Sequence, residues 1–205
     1  MEKSKWNKLA DDKTIERTMK ALKENGMDVH IAINGKEAAK KMLEIIPKGS
    51  EVMTMSSITL EKTGISSEIN ESGRFVSVKN KLYSMDRKKQ GKEMNRLGAA
   101  PDFAVGSVHA LTEDGSVMIA SASGSQLPAY AYSSPHVIFV VGAQKIVKDL
   151  DEGMKRIYEY TLPLEDERAK AAYGMGSGVN KLLIVKKEMQ KGRITIIIVK
   201  ENLGF

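Results

Sequence analysis

The segment Val137–Val141, VIFVV, decides the fold of this chain. It is uniformly apolar and rich in β-branched residues, a pattern typical of strands that are buried on both faces of a parallel sheet. A second such strand, Ile194–Val199, lies near the end of the sequence. Both segments are far shorter than the roughly 20 residues that cross a bilayer, so no membrane insertion is expected.

Outward from this segment, strand patterns alternate with helix patterns. Further strands are predicted at Val29–Ile33, Val52–Met55, Phe75–Val78, about Asp102–Gly106 and Leu182–Val185. Asp12 is the predicted N-cap of a first helix, whose apolar face consists of Ile15, Met19 and Leu22. Asn34 and Glu37 form a capping box that predicts the start of a second helix. The apolar face of this second helix is predicted to consist of Ala39, Leu43 and Ile46. Later helices are predicted at Asp86–Leu97, around Met154 up to Pro163, and at Glu165–Tyr173.

This alternation predicts an α/β protein with a single Rossmann-like domain, a largely parallel or mixed sheet and helices on both faces. The domain is expected to span residues 1–205, with residues 1–11 as a candidate loose N-terminal extension. The 205 residues are 41% hydrophobic, enough for a sizeable core.

Composition narrows the classes of function. Cysteine is absent, which excludes disulfides and thiolate chemistry and fits a reducing compartment. The first residues, MEKSKWNKLADDK, lack the apolar core of a secretory signal, so a cytoplasmic location is expected. The net charge is +6, but lysines and arginines alternate with acids, as on solvated helix faces, and no nucleic-acid partner is predicted.

The first candidate ligand site is Ser56–Glu61, SSITLE, which follows a predicted strand and opens a helix. Hydroxyls at Ser56, Ser57 and Thr59 and free backbone N–H groups at such a turn suit an anion. The alternative is a Ser/Thr N-cap with no ligand.

The second candidate lies within Ala110–Gln126, ALTEDGSVMIASASGSQ. Asp114-Gly115 is a hairpin-turn signal, and a second polar turn follows the apolar VMIA. The candidate ligand-binding residues of these two turns are Thr112, Asp114, Gly115, Ser123, Gly124 and Ser125. A glycine permits close approach of a ligand and hydroxyls give directional bonds, but a plain turn followed by a capped helix is the alternative.

Two carboxylates are candidate catalytic groups. Glu61 and Glu113 could each act as base or nucleophile if desolvated, although most carboxylates in such positions are exposed or cap a helix. No metal site is predicted, because the histidines at 30, 109 and 136 lack metal-ligand spacing; His109 alone lies beside the second candidate site. The glycine-rich Gly174–Gly178, GMGSG, runs from helix to strand, the reverse of a dinucleotide fingerprint, and is predicted to be a flexible connection.

Four blocks in order give a family resemblance: SSITLEKTG, ALTEDGSVMIASASG, VIFVVGAQKIVKDLDEGMKRI and GRITIIIVKENLGF. Together they resemble the LUD-domain family, named for lactate utilization, from about Ile15 to Phe205. The resemblance implies a fold like that of sugar-phosphate isomerases, 5-formyltetrahydrofolate cyclo-ligase and CoA transferases. The motif positions carried over by the resemblance are Ser57, Thr59, Leu60, Glu61, Thr112, Glu113, Asp114, Gly115 and Gly124.

The resemblance also implies a link to bacterial oxidation of L-lactate to pyruvate alongside iron–sulfur subunits. Some relatives carry cysteine motifs for such clusters, whereas this chain has none, so no cofactor is predicted here and electron transfer would belong to a partner. Three functions stay open: binding of a small anionic ligand as an accessory subunit, an isomerase- or CoA-transferase-like enzyme using Glu113 or Glu61, and a purely structural subunit. A homo-oligomer is compatible with each.

Overall fold

The computed structural model describes residues 5–205 and contains ten strands in two sheets. The strands are β1 Asp28–Ala32, β2 Glu51–Thr54, β3 Val76–Ser77, β4 Phe103–Gly106, β5 Ala110–Thr112, β6 Val117–Ser121, β7 His136–Gly142, β8 Ile146–Val147, β9 Lys181–Val185 and β10 Ile194–Val199. The helices are α1 Asp12–Glu24, α2 Gly35–Ile45, α3 Ile58–Lys62, α4 Ile65–Glu71, α5 Val78–Ser84, α6 Arg87–Ala99, α7 Leu150–Arg156 and α8 Leu162–Tyr173.

The main sheet has six strands in the order β1-β10-β7-β4-β2-β3, all parallel. The two most apolar strands, β7 and β10, lie side by side at its centre, with Phe139 opposite Ile196. The prediction from VIFVV is therefore confirmed: this strand is buried on both faces of a parallel sheet.

Side chains of the central strands alternate between two cores, as the period of a strand requires. On one face, Ile138 and Val140 pack with Ile197 against α2, α3 and α4. On the other face, Phe139 and Ile196 pack against α1 and against the second sheet. The predicted α/β class with helices on both faces is confirmed, with a second sheet as an additional layer.

The second sheet has the order β8-β5-β6-β9 and is mixed. Its far face packs against Trp6, Ile157 and residues of α7. The predicted hairpin around Asp114 joins β5 to β6, but its loop has three residues rather than two, because Thr112 N still bonds Ser116 O. Gly115 closes this loop at φ 82°.

The start of α1 differs by one residue from the prediction, and the start of α2 agrees with it. The N-cap of α1 is Asp11, whose carboxylate accepts a bond from Thr14 N at 2.8 Å, and Asp12 is the first helical residue. The capping box of α2 is present, since Asn34 accepts from Glu37 N at 3.0 Å and the Glu37 carboxylate accepts from Ile33 N at 2.8 Å.

The buried face of α2 differs from the predicted one at two of three positions, while Ile46, at the C-cap, is buried as predicted. Ala38, Met42 and Ile46 are fully buried, while Ala39 and Leu43 flank them. A four-residue spacing places these three side chains on one stripe of the helix.

The prediction that Pro163 ends a helix is wrong. From Leu150 to Tyr173 the chain stays helical through a wide π turn at Ile157–Thr161, in which Leu162 N bonds Ile157 O. Pro163 then lies in the first turn of α8, where a missing N–H is tolerated.

At the N-terminus, residues 1–4 of the predicted extension lie outside the described residues. Trp6 is buried against the second sheet, and Ala10 N donates to Ala143 O at 3.4 Å. Within residues 5–205, no helix combines the length and apolar character needed to cross a membrane.

Candidate functional site

A cavity of about 380 Å³ lies where the carboxyl ends of β2 and β4 meet the second sheet and α8. Its walls include Ser56 and Ser57 after β2, Ser107 after β4, Ser121 at the end of β6, and Lys145 after β7. Ligands of open α/β sheets bind at this edge, and the volume is in the range of small-molecule sites.

Lys145 is the central side chain of this cavity. Only 2% of the residue is exposed, and its Nζ lies 3.1 Å from each of three oxygens: Thr59 Oγ1, Ser107 Oγ and the Val108 carbonyl. No carboxylate of residues 5–205 forms a salt bridge with it. Burial, with smaller contributions from Arg156 and Lys62, holds the pKa of Lys145 well below its ordinary value.

The three oxygens around Lys145 Nζ are not equivalent. The Thr59 hydroxyl donates its proton to Leu203 O at 3.0 Å, so its oxygen accepts from Lys145, as the Val108 carbonyl must. The Ser107 hydroxyl has no other hydrogen bond within the described residues and can either accept from the amine or donate to it. The arrangement thus suits both protonation states of Lys145.

Local sequence explains how a lysine comes to be buried here. After β7 the chain makes a 3₁₀ turn at Ala143–Lys145, and the Gln144 amide donates to Leu203 O at 3.0 Å and to Gly204 O at 3.2 Å. Gln144 thereby fastens this turn to the segment after β10. The next residue, Lys145, is directed into the cavity.

His109 and Arg156 are two further polar residues close to Lys145. Burial, then the nearby Lys145 and Arg156 charges, lower the pKa of His109 to about 3, so it is neutral. Its Nδ1 accepts from Ala120 N at 3.1 Å, which leaves the proton on Nε2. Arg156 is fully buried, and one Nη donates to His109 O and to Thr161 Oγ1. Its Nε and its other Nη have no hydrogen-bond partner among residues 5–205.

Two further groups line the cavity. Arg168 on α8 makes a bidentate pair with Glu165, at 2.7 and 2.8 Å, so its charge is balanced. Tyr130 is buried, and burial raises the pKa of its phenol, which stays protonated. Its hydroxyl lies so close to Gly106 that a Cβ there would overlap it, which places this O–H beside the residue preceding Ser107.

Five of the predicted ligand-binding residues line this cavity: Ser56, Ser57, Thr59, Ser123 and Ser125. The two serine-rich turns are therefore brought together across one space. Ser57 also caps α3 by accepting from Leu60 N, at a long 3.5 Å. Gly124 lies between two lining serines and bonds Ser121 Oγ at 2.8 Å without lining the cavity itself.

The other predicted ligand residues, Thr112, Asp114 and Gly115, do not line it. They form a self-contained turn in which the Thr112 hydroxyl bonds the Asp114 carboxylate, which also accepts from Ser116. Asn25, at the end of α1, donates to Asp114 O at 2.9 Å. This turn packs on α1.

The two candidate catalytic carboxylates also lie away from the cavity lining. Glu113 forms a salt bridge with Arg17 of α1, and Glu61 is an exposed residue of α3. By contrast, Ser177 and Gly178 of the GMGSG connection do line the cavity, and Ser177 N donates to Asp166 at 2.8 Å.

Sequence reasoning missed Ser107 and Lys145. A signal was present in both cases, since each is a polar residue shortly after the carboxyl end of a buried strand, in FAVGS and in VIFVVGAQK. Lys145 is also followed directly by apolar residues, an unusual setting for an exposed lysine.

Comparison with known proteins agrees with this architecture. The model of the LUD domain matches residues 15–199. The chain belongs to the LUD domain family. This LUD chain is also similar to the crystal structure of a DUF162 family protein from Deinococcus radiodurans, with a TM-score of 0.59 and 11% identity over 94% of this chain and 99% of that one. At that identity the likeness concerns the fold alone. A search of curated proteins found none that matches this sequence.

The resemblance stated from the four sequence blocks is thus confirmed. The family is associated with lactate utilization as a family, which leaves the ligand and reaction of this LUD chain to be argued from its own residues.

Proposed function

We propose that this LUD-domain chain binds a small organic anion in the cavity, and that this binding is its contribution to lactate utilization. One observation carries the proposal: the buried Lys145 amine lies among hydroxyl groups with no carboxylate of the described chain paired to it. A buried amine without an acidic partner is costly to charge, and a bound carboxylate or phosphate supplies the missing partner.

Binding is therefore coupled to protonation. In the empty cavity, burial favours the neutral amine of Lys145, whereas an anion beside it favours the ammonium. The anion should bind together with a proton, and its affinity should fall as the pH rises.

The serine-rich walls supply the remaining contacts. Ser56, Ser123 and Ser125 are exposed residues that line the cavity. The Ser123 hydroxyl donates to Ser125 Oγ at 3.1 Å, which leaves the Ser125 proton for a ligand. Such a set of short neutral donors around one cation suits a small carboxylate such as lactate or pyruvate, as well as a phosphate.

We also propose that iron–sulfur subunits are the partners of this chain. The chain has no cysteine and holds no thiolate-ligated cluster, so electrons of lactate oxidation would pass through iron–sulfur subunits bound to this chain. Co-purification from the native host, followed by mass spectrometry of the associated subunits, tests this part separately.

Isothermal titration tests the anion site. L-lactate, pyruvate, a sugar phosphate, a folate and an acyl-CoA are titrated into the protein at pH 6, 7 and 8. We expect one of them to bind below millimolar Kd, with the proton uptake revealed by buffers of different ionisation enthalpy. The Lys145→Met variant should lose at least about tenfold in affinity, since a charged hydrogen bond contributes about 1.5–3 kcal/mol.

The matched control is Lys187→Met, which removes an exposed lysine outside the cavity. The proposal fails if none of the five compounds binds below millimolar, or if Lys145→Met binds as tightly as the control. Glu113 and Glu61 stay sequence predictions for an isomerase- or CoA-transferase-like reaction, for which the cavity supplies no supporting contact.

A further inference from the structure

Ser107 and Lys145 are a hydrogen-bonded pair of side chains in the wall of the cavity. Ser107 follows β4 at its carboxyl end, lines the cavity and is only partly buried, while its Oγ lies 3.1 Å from Lys145 Nζ. The pair brings an accessible hydroxyl to a buried amine, and the anion-binding proposal makes no use of the reactivity of that hydroxyl.

The hydrogen-bond directions around the amine decide how the pair can act. A neutral amine donates two protons and offers one lone pair. Thr59 Oγ1 and the Val108 carbonyl must accept, because the Thr59 proton is committed to Leu203 O. The lone pair is then left for the Ser107 proton, and every group is satisfied.

We propose that Ser107 and Lys145 form a serine–lysine dyad that transfers the acyl group of a small ester or thioester to Ser107 Oγ. Ser107 is the nucleophile and Lys145 the general base, a pairing that supports acyl transfer on unrelated folds. The lowered pKa of Lys145 supports this role, because it makes the lone pair available at a lower pH than in an exposed lysine.

Ser107 Oγ bonds to the carbonyl carbon while its proton passes to Lys145 Nζ. The bond from that carbon to the leaving oxygen or sulfur breaks, and Lys145 returns the proton to the leaving alcohol or thiol. Water then attacks the acyl carbon while one of its protons passes to Lys145 Nζ. The bond from that carbon to Ser107 Oγ breaks, the second proton of the water restores the Ser107 hydroxyl, and a carboxylate leaves beside the protonated Lys145, which returns its proton to the solvent.

Tyr130 supplies a fixed donor near the reacting carbonyl. Its protonated hydroxyl lies beside Gly106, the residue before Ser107, and Tyr130 is one of the residues that line the cavity. A neutral phenol held at that position can donate to the oxygen on which negative charge develops. Gly106 is required there because any Cβ would overlap the Tyr130 hydroxyl.

This inference goes beyond anion binding and does not depend on it. The two are compatible, because the reaction ends with a carboxylate next to a protonated Lys145. They are separable by Lys145→Arg, which keeps a positive charge for an anion but has no lone pair at neutral pH.

Covalent labelling with diisopropyl fluorophosphate tests the dyad. The phosphorus bonds to the serine oxygen, fluoride leaves, and the proton is passed on through Lys145. We expect one adduct on the intact protein, mapped to the peptide that contains Ser107, with a rate that rises with pH and levels off below pH 10.5, the ordinary pKa of lysine. Ser107→Ala should abolish the adduct, and Lys145→Arg should slow labelling by about 10²–10⁴-fold.

Ser84→Ala, an exposed serine at the end of α5, is the control and should label as the unaltered protein does. Absence of an adduct on the unaltered protein, an adduct on another residue, or normal labelling of Lys145→Arg would overturn the dyad. If a variant does not fold, as judged by circular dichroism, the pH profile of the unaltered protein decides: a rate that never levels off rejects Lys145 as the base. Anion binding without labelling would leave the proposed function standing and remove the dyad alone.

Discussion

Lys145 Nζ lies 3.1 Å from Thr59 Oγ1, although 86 positions separate the two residues in the chain. The contact joins the turn after β7 to the start of α3 and is buried. Thr59 at the same time donates to Leu203 O, so one hydroxyl links three separate segments.

Replacing Thr59 by valine should therefore destabilise the fold. The change keeps the shape but removes one of the two side-chain donors to Leu203 O, leaving the Gln144 amide, and takes one acceptor from Lys145, at a cost of about 1–3 kcal/mol. Thr59→Ser keeps the hydroxyl and should lose only about 1 kcal/mol for the missing methyl group. Urea unfolding of both variants measures the difference; equal stabilities would show that the hydroxyl contributes nothing.

Lys145 should give the protein a pH-dependent stability. Its folded pKa is lowered, so between that value and 10.5 the unfolded chain binds more protons, and the free energy of unfolding rises with pH across this interval. Lys145→Met should abolish this rise, whereas Lys187→Met should retain it. Denaturant unfolding at several pH values from 7 to 10 provides the test, and an unchanged slope in Lys145→Met would contradict the expectation.

We expect the protein to lose stability in acid because of His109. Burial lowers its pKa from 6.5 to about 3, so below pH 6.5 the unfolded chain takes up a proton that the folded protein does not. The free energy of unfolding should fall toward pH 3, by up to about 1.4 kcal/mol per pH unit from this group.

His109→Asn keeps an acceptor for Ala120 N and should flatten that part of the pH profile. His30→Gln, at an exposed position of β1, is the control and should leave the profile as it is. Thermal melts between pH 4 and 7 measure the stability of each variant. If His109→Asn loses as much stability in acid as the unaltered protein does, other groups are responsible for the loss.

Gly115 and Gly49 form a matched pair for testing the hairpin turn. Their φ angles are 82° and 85°. A Cβ on Gly115 would lie 2.8 Å from Asn25 Nδ2 and 2.9 Å from Ala21 C, whereas a Cβ on Gly49 would have no atom of residues 5–205 within 4 Å. Gly49→Ala should cost about 1 kcal/mol for the backbone alone. Gly115→Ala should cost about 1–3 kcal/mol more, because the turn must move off α1. Chemical denaturation of the two variants measures this difference, and equal losses would mean that the contact with α1 is soft.

Much of the fold could be predicted because strand and helix periods are local properties. VIFVV and ITIIIV define the centre of the sheet, and the capping box defines the start of α2. The second sheet could not be predicted, since β5, β8 and β9 are short or half-buried, and their partners are far apart in the chain.

The candidate site was only partly predictable for a related reason. Hydroxyl-rich turns such as Ser56–Thr59 are visible in the sequence, and five of the predicted residues do line the cavity. The distance of these turns from Lys145 depends on which strands are neighbours in the sheet. The periodicity of the sequence does not reveal the order of the strands. The turn at Thr112–Gly115 is similar in sequence, but it packs on α1. Asn25 donates a hydrogen bond to Asp114 O, and Arg17 forms a salt bridge with Glu113.

The bonds from Thr59 and Gln144 to Leu203 O have a consequence for how the molecule folds. Leu203 reaches its place only after β10 has inserted between β1 and β7, a pairing between segments that are distant in the chain and therefore slow to form. We expect the turn that carries Lys145 to become protected from hydrogen exchange late in refolding, after α1 and α2. A nascent chain would then have its helices before it has its site.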